Sequence, residues 1–411
     1  MLPYLLVFGV GAVVTFATTP VVRSSALRLG WIDHPSDRKV HPKPTATTGG
    51  LSLLLGVSAA LLVARLVPSL REVFASTSDP DAAIVGGLVI LAVGLLDDTR
   101  GLSPLGKLAG QILAAGILVL LGVQLLYFYF PGRDILVLSP DMAVPLTVLW
   151  VVGMINAVNL IDGLDGLAAG MVAIAAAAFF AYMYRGEPST AALLSAIVAG
   201  SALGFLPWNF HPARIFMGDT GSGFLGLVMA VATISGVGRN LEGPTGGDLA
   251  VIAIPVAVPL LVLAVPFLDV LLAIARRVRR GIGIAHADKE HIHHRLLDIG
   301  HSHRQAVFLM YLWAALISTC ALAVAFIDGR LLVSAILAVA AVVAAVLPRL
   351  IREGRLWAAD RTVHVAPAEA AVSDGAASPN GDRHAARPAP SAPAPPSAPQ
   401  PVGDPASTAQ G

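Results

Sequence analysis

The chain is short of charge. Only 13% of its 411 residues are Asp, Glu, Lys or Arg, whereas soluble domains usually carry about 25%. That is too few to cover a water-facing surface of this size, which excludes an ordinary soluble enzyme. Cysteine is nearly absent too: the single Cys320 lies in an apolar block. A disulfide framework and a multi-cysteine zinc site are therefore excluded. Neither sign of charge dominates, with 27 Lys and Arg against 26 Asp and Glu. The charges are clustered, and nothing in the balance calls for a nucleic-acid partner. No basic region precedes the apolar stretch from Met1 to Pro20, so it reads as a transmembrane segment and not as a cleaved signal peptide.

Hydrophobic residues make up 56% of the chain. They come in blocks long enough to cross a bilayer, for which ~20 apolar residues suffice. The spacing predicts an all-α polytopic membrane bundle of about eleven transmembrane helices, near 2–22, 49–67, 83–97, 105–126, 142–159, 164–184, 190–208, 219–236, 250–275, 305–327 and 331–350. The third and eighth spans are short. An odd number of spans puts the termini on opposite sides. With the N-terminus outside, the cytoplasmic connections hold Arg23, Arg28, Arg38, Lys39, Lys43, Arg100, Arg214 and the basic residues from Arg276 to Arg304, while the outer connections hold scattered single charges. This is the bias the positive-inside rule requires. Residues 1–355 form the expected membrane domain. Residues 356–411 are dominated by Pro, Ala, Ser and Gly and are expected to form a disordered cytoplasmic tail.

Five segments are unusually polar: Asp33 to Gly50, Leu96 to Lys107, Asn156 to Gly166, Asn209 to Gly223 and His286 to Arg304. All five fall on the cytoplasmic side of this topology, as a composite site at one membrane face would require. Acids at span ends are costly unless they function, and Asp97, Asp98, Asp162, Asp165 and Asp219 all lie there. Carboxylates with basic partners fit a hard divalent cation and a polyanionic substrate: Mg²⁺, with Mn²⁺ as an alternative. The basic partners available are Lys39, Lys107, Arg214 and Arg295, with His291, His293 and His294.

Each signal also has a plainer reading. Asp97 and Asp98 could be a charged helix stop. Adjacent helical residues do not face the same way, so one is expected at the metal and the other at Lys107 or a phosphate. Asp219, in "GDTGSG", could be a simple N-cap, but a helix N-terminus also binds phosphate. Asp162 and Asp165, with Asn159, would share a helical face, yet the glycines beside them equally allow a turn. "HIHHRL" lacks the companions of a usual zinc site and suits a basic loop that closes over phosphates, while His301 and His303 could be solvated loop residues. "RRVRR", from Arg276 to Arg280, reads as a topology and lipid-facing signal.

The ordered set "DDxxxxxxxxK" (Asp97, Asp98, Lys107), "NxxNxxDGLDGL" (Asn156 to Leu167), "FMGDTGS" (Phe216 to Ser222) and "HIHHRL" (His291 to Leu296) resembles the polyprenyl-phosphate N-acetylhexosamine-1-phosphate transferases, the MraY/WecA/TagO superfamily. The resemblance covers about residues 1–350. It implies an eleven-span enzyme of the bacterial cell membrane that works at the cytoplasmic face. The last loop is similar to that of the UDP-GlcNAc-type branch, the UDP-MurNAc-pentapeptide branch being the alternative. By resemblance, Asp219 is a metal ligand with Asn159 as a second contact, and Asp97 and Asp98 are the catalytic pair. Lys107 is a phosphate-binding lysine. Asp162, Asn209 and Phe216 recognise uridine, and Asp165 lies close to the nucleotide. His291, His293, His294 and Arg295 contact sugar or pyrophosphate, and Lys39 lies near the donor. The implied partners are a UDP-sugar, a polyprenyl phosphate and the lipid bilayer, with homodimerisation left open. A cation-coupled transporter is the alternative of a different class, but it expects charges near the bilayer midplane. A structural scaffold would not need this set of acids, amides and histidines.

Overall fold

The computed structural model of the protein describes residues 1–35, 43–129, 135–184, 188–237 and 302–326. Among these residues the helices are α1 (Leu2–Leu29), α2 (Gly50–Leu66), α3 (Pro68–Ser76), α4 (Asp79–Arg100), α5 (Pro104–Leu120), α6 (Pro140–Ile161), α7 (Leu167–Met183), α8 (Thr190–Asn209), α9 (Gly218–Val237) and α10 (His303–Phe326). Local sequence sets many of their limits. Proline stands in the first turn of α1, α3, α4, α5 and α6, where its missing N–H costs nothing. Ser103 and Ser189 cap α5 and α8 by accepting from Gly106 N and Ala192 N at 3.1 and 3.2 Å. Gly30, at φ 74°, ends α1 in the left-handed conformation that favours glycine.

The expected spans from 2–22 through 219–236, and the one at 305–327, each correspond to a helix. Those at 250–275 and 331–350 lie outside the described residues, as does the tail. Among the described residues, five helices are long and apolar enough to cross a membrane, or six if α2 and α3, bent by 105° at Val67, count as one broken span. The protein is an all-α polytopic membrane protein. Some details differ from expectation. The third span is a full 22-residue helix, because the acids at both its ends join it. Two short antiparallel ribbons also appear, Ile32–Asp33 with Thr45–Ala46 and Tyr127–Tyr129 with Ile135–Val137. Segments this short carry no readable alternation.

Helix α8 lies at the centre and packs on α1, α7 and α9, and α9 in turn packs on α2, α4 and α6. Close approach depends on small residues. Gly200 and Gly204 of α8 face the α1 backbone at Phe8 and Ala12. Gly94 of α4 faces α9, where an added Cβ would lie 2.5 Å from Thr220 N. Asp98 stands four residues beyond Gly94, on the same side of α4, so this contact brings its carboxylate over the start of α9. The ends of α4, α6 and α8 and the starts of α2, α5, α7, α9 and α10 are joined by the contacts described below. They form one end of the bundle.

Candidate active site

Four helix ends build the charged centre. Asp97 and Asp98 lie in the last turn of α4, Lys107 in the first turn of α5, Asn159 in the last turn of α6 and Asp219 in the first turn of α9. Lys107 Nζ is 2.5 Å from both Asp97 Oδ2 and Asp219 Oδ2. Asn159 Nδ2 donates to Asp219 Oδ1 at 2.7 Å and to Ser222 Oγ at 3.1 Å. The Lys107 side chain keeps 35% of its exposure and Asp219 keeps 28%, so a ligand can reach the centre.

Asp97 and Asp98 point roughly 100° apart around the helix and do different work. Asp97 Oδ1 accepts from Leu102 N at 2.7 Å, which fixes the turn into α5 and hence the position of Lys107. Asp98 faces α9. Its Oδ1 accepts from Asp219 N at 2.9 Å, and its Oδ2 from Thr220 N at 3.1 Å and Thr220 Oγ1 at 2.5 Å. This is an N-cap supplied by a neighbouring helix, with a negative charge at the positive end of the α9 dipole. Asp219 is therefore not the cap of its own helix. Its carboxylate is left for Lys107 and Asn159.

The turn at 162–166, between α6 and α7, carries two more acids. Asp162 lies beside the Gly218 N–H. Lost water contact, reinforced by the charges of Asp219, Asp98 and Asp165, pushes its carboxyl up to about 8. Asp165 Oδ2 accepts from Ala213 N at 3.0 Å and lies 2.8 Å from His211 Nδ1. The His303 ring stacks on His211, with centroids 4.1 Å apart and planes within 17°. Arg304 donates twice to His211 O, and Tyr311 Oη donates to Gly166 O at 2.5 Å. Nitrogen and oxygen atoms of Asp165, His211 and His303 lie within 4.8 Å of one another, close enough to raise the question of a metal. However, an ion bound by an imidazole sits near the plane of that ring, and two nearly parallel planes this far apart cannot share one ion. The trio is a stacked clamp that fastens α10 and the α8–α9 loop to the 162–166 turn. His303 is thus not a solvated loop residue, as the sequence allowed. It packs against the site.

The family model for glycosyl transferase family 4 matches residues 82–237, a stretch that runs from α4 through α9 and contains the whole charged centre. The decaprenyl-phosphate N-acetylglucosaminephosphotransferase of Mycolicibacterium smegmatis is 41% identical over 356 residues, covering 84% of this chain and 87% of that protein. The Mycobacterium tuberculosis protein of the same name is 40% identical over 330 residues, 78% of this chain and 82% of that one. The chain belongs to the polyprenyl-phosphate N-acetylhexosamine-1-phosphate transferase family. A relative from Desulforudis audaxviator named phospho-N-acetylmuramoyl-pentapeptide-transferase is 31% identical over 268 residues, 57% of this chain and 76% of that protein.

Of the family positions, Asp97, Asp98, Lys107, Asn159, Asp162 and Asp219 converge at this end of the bundle, with Asp165 in the adjoining turn. Phe216 is half-buried there, its N–H donating to Ala46 O and its carbonyl accepting from Gly49 N. Asn209 differs from the direct substrate contact expected of it. It is 1% exposed, its Oδ1 accepts from Gly166 N and its Nδ2 donates to Ile215 O, both at 3.1 Å. With both ends of the amide used, Asn209 positions the two loops. Lys39, His291, His293, His294 and Arg295 lie outside the described residues. Sequence reasoning missed Thr220, Ser222, His211 and Gln111 as members of the network. The first three lie in a segment already marked by its polarity. Gln111 stands alone in an apolar helix, four residues after Lys107.

Proposed function

We propose that this protein transfers N-acetylglucosamine-1-phosphate, or a related N-acetylhexosamine-1-phosphate, from its UDP-sugar to undecaprenyl or decaprenyl phosphate, releasing UMP. This would be the first membrane step of a cell-envelope polysaccharide. The observation that carries the reading is the Lys107 ammonium held between two carboxylates from separate helices, at one end of a membrane bundle. One substrate is dissolved in the bilayer and the other in water, so the reaction needs a site at the boundary. The GlcNAc donor is favoured by the names of the mycobacterial relatives, which align over more than three quarters of the chain. The count of eleven spans rests on the apolar blocks of the sequence. The cytoplasmic placing of the active site is supported by the distribution of basic residues, and the bacterial inner membrane is the reading that the family suggests.

The oxygen-rich donor set fits Mg²⁺. Asp219 and Asp97 present carboxylate oxygens to one point, where Lys107 already brings a positive charge, and Asn159 retains its amide oxygen. Mn²⁺ suits the same donors. Asp98 does not belong to this set, because its oxygens are taken by α9. A bound divalent cation would supply charge neutralisation at the diphosphate. The residues perform the rest. Lys107 reduces repulsion between the two anionic substrates, and Asp97 holds Lys107 in place. The amides at the start of α9 favour a phosphate. A phosphomonoester has its second pKa near ~6, so the acceptor is largely dianionic at neutral pH and needs no strong base. Its oxygen attacks the β-phosphorus of the donor, and the bond to the UMP oxygen breaks.

The test is to incubate the purified protein with UDP-GlcNAc, polyprenyl phosphate and Mg²⁺, and to measure UMP and the lipid-linked product. Both should appear together and stop when the cation is chelated. UMP without lipid product, or neither with any UDP-N-acetylhexosamine, would refute the proposal.

A further inference from the structure

One helical turn away from the Lys107 and Asn159 pair, α5 and α6 carry a second polar pair. Gln111 follows Lys107 by four residues and Asn156 precedes Asn159 by three, so on each helix the two side chains share a face. Asn156 Nδ2 donates to Gln111 Oε1 at 2.6 Å and to Val152 O at 2.8 Å. The return bond, Gln111 Nε2 to Asn156 Oδ1, is long at 3.3 Å. The exchange is uneven. Both Asn156 N–H groups are used well, while the buried Gln111 amide has two N–H groups and one weak bond.

The surroundings are apolar. Leu105, Leu108 and Ile112 of α5 and Leu149 and Leu160 of α6 are exposed. A Cβ on Gly153, one turn along α6 from Asn156, would meet nothing within 4 Å. Asn156 is itself exposed, five residues before the end of α6 and hence about 7.5 Å below it. A primary amide on the apolar face of a membrane helix is costly. Amides that only join helices face the neighbouring helix, and half of this pair faces outward.

We propose that Gln111 and Asn156 are the contact for the phosphate head of the polyprenyl phosphate acceptor as it comes laterally from the bilayer between α5 and α6. The inference rests on the transferase reading above. A lipid-dissolved substrate approaches through an apolar face, and this seam is apolar outside and polar within. Gln111 offers neutral N–H donors and neither amide carries a negative charge, which suits a phosphate. Gln111 has donor capacity to spare, so an incoming oxygen can replace its weak bond. Lys107 lies one turn above, about 6 Å along the helix, close enough to take over the same phosphate. The UDP-sugar is soluble and has no reason to pass this face, so the contact serves one substrate only.

Gln111→Glu tests this. The glutamate keeps the side-chain length and still accepts from Asn156 Nδ2, so the link between the helices survives. The donors, however, are replaced by a negative charge. KM for polyprenyl phosphate should rise at least about tenfold, with KM for UDP-GlcNAc and the thermal midpoint in detergent near wild type. Gln111→Met, which keeps volume and removes the donors without adding charge, should raise the acceptor KM about threefold to fivefold. It serves if the glutamate variant fails to fold. An unchanged acceptor KM in an active Gln111→Met protein would overturn the proposal. So would a parallel rise in both KM values with a lowered midpoint, the mark of a merely structural pair. Those outcomes leave the transferase reading intact. A wild-type protein that releases no UMP from any UDP-N-acetylhexosamine would sink that reading, and this contact with it.

Discussion

Asp98→Ala separates two roles that the sequence left joined. If Asp98 is the cap of α9, its loss is first a loss of stability. Three donors lose their acceptor: Asp219 N, Thr220 N and Thr220 Oγ1. Removing an N-cap costs about 0.5–2 kcal/mol. Thr220 is fully buried, so water cannot replace the carboxylate there, and an orphaned buried N–H costs a further ~1–3 kcal/mol. The two overlap, which puts the expected loss at roughly 2–4 kcal/mol. Activity should fall as well, because the start of α9 carries Asp219. Asp98→Asn keeps one acceptor and should lose about half as much stability. Thr220→Val removes only the hydroxyl bond, so its effect should largely vanish in the Asp98→Ala background. The assay is thermal unfolding in detergent beside UMP release, for both single variants and the double. An unchanged midpoint together with abolished turnover would refute the cap and return Asp98 to the substrates.

Lys107→Met keeps the length of the side chain and removes the charge between Asp97 and Asp219, so UMP release should drop at least ~100-fold; near-normal turnover would exclude Lys107 from the charged centre. Gly94→Ala places a Cβ 2.5 Å from Thr220 N and should cost about 1–3 kcal/mol through overpacking, read as a lowered midpoint; no change would show that α4 and α9 can separate freely. For Asp162 the folded carboxyl, at about 8, lies above its ordinary 3.8, so the folded state holds a proton that the unfolded chain releases. Stability of the metal-free, substrate-free protein should therefore fall as pH rises from about 4 to about 8, and then level off. Asp162→Asn should flatten this slope, and an identical slope in the variant would assign it to other groups.

The class of the fold was legible from composition because too few charges and many long apolar blocks have one physical solution, a bundle in a bilayer. The grouping of the site was legible for a similar reason. Buried or half-buried acids are tolerated only where something requires them, and Asp97, Asp162, Asp165 and Asp219 all fell in segments assigned to one side. Gln111 gave no signal, since a single amide in an apolar helix has the same local pattern whether it faces a partner or lipid. His303 gave an ambiguous one, because a histidine at a helix start is equally at home in water.

The sequence by itself determined that this chain is a membrane-embedded helical protein with acids, amides and a lysine sorted to one end, since hydrophobicity and charge act residue by residue along the chain. Only the tertiary structure decided what each acid does. Lys107 and Asp219 lie 112 positions apart, and no local periodicity encodes their meeting. Close packing of α4 on α9 through Gly94 turns Asp98 into a helix cap and frees Asp219, and packing of the two loops around Asn209 turns an expected ligand contact into a brace.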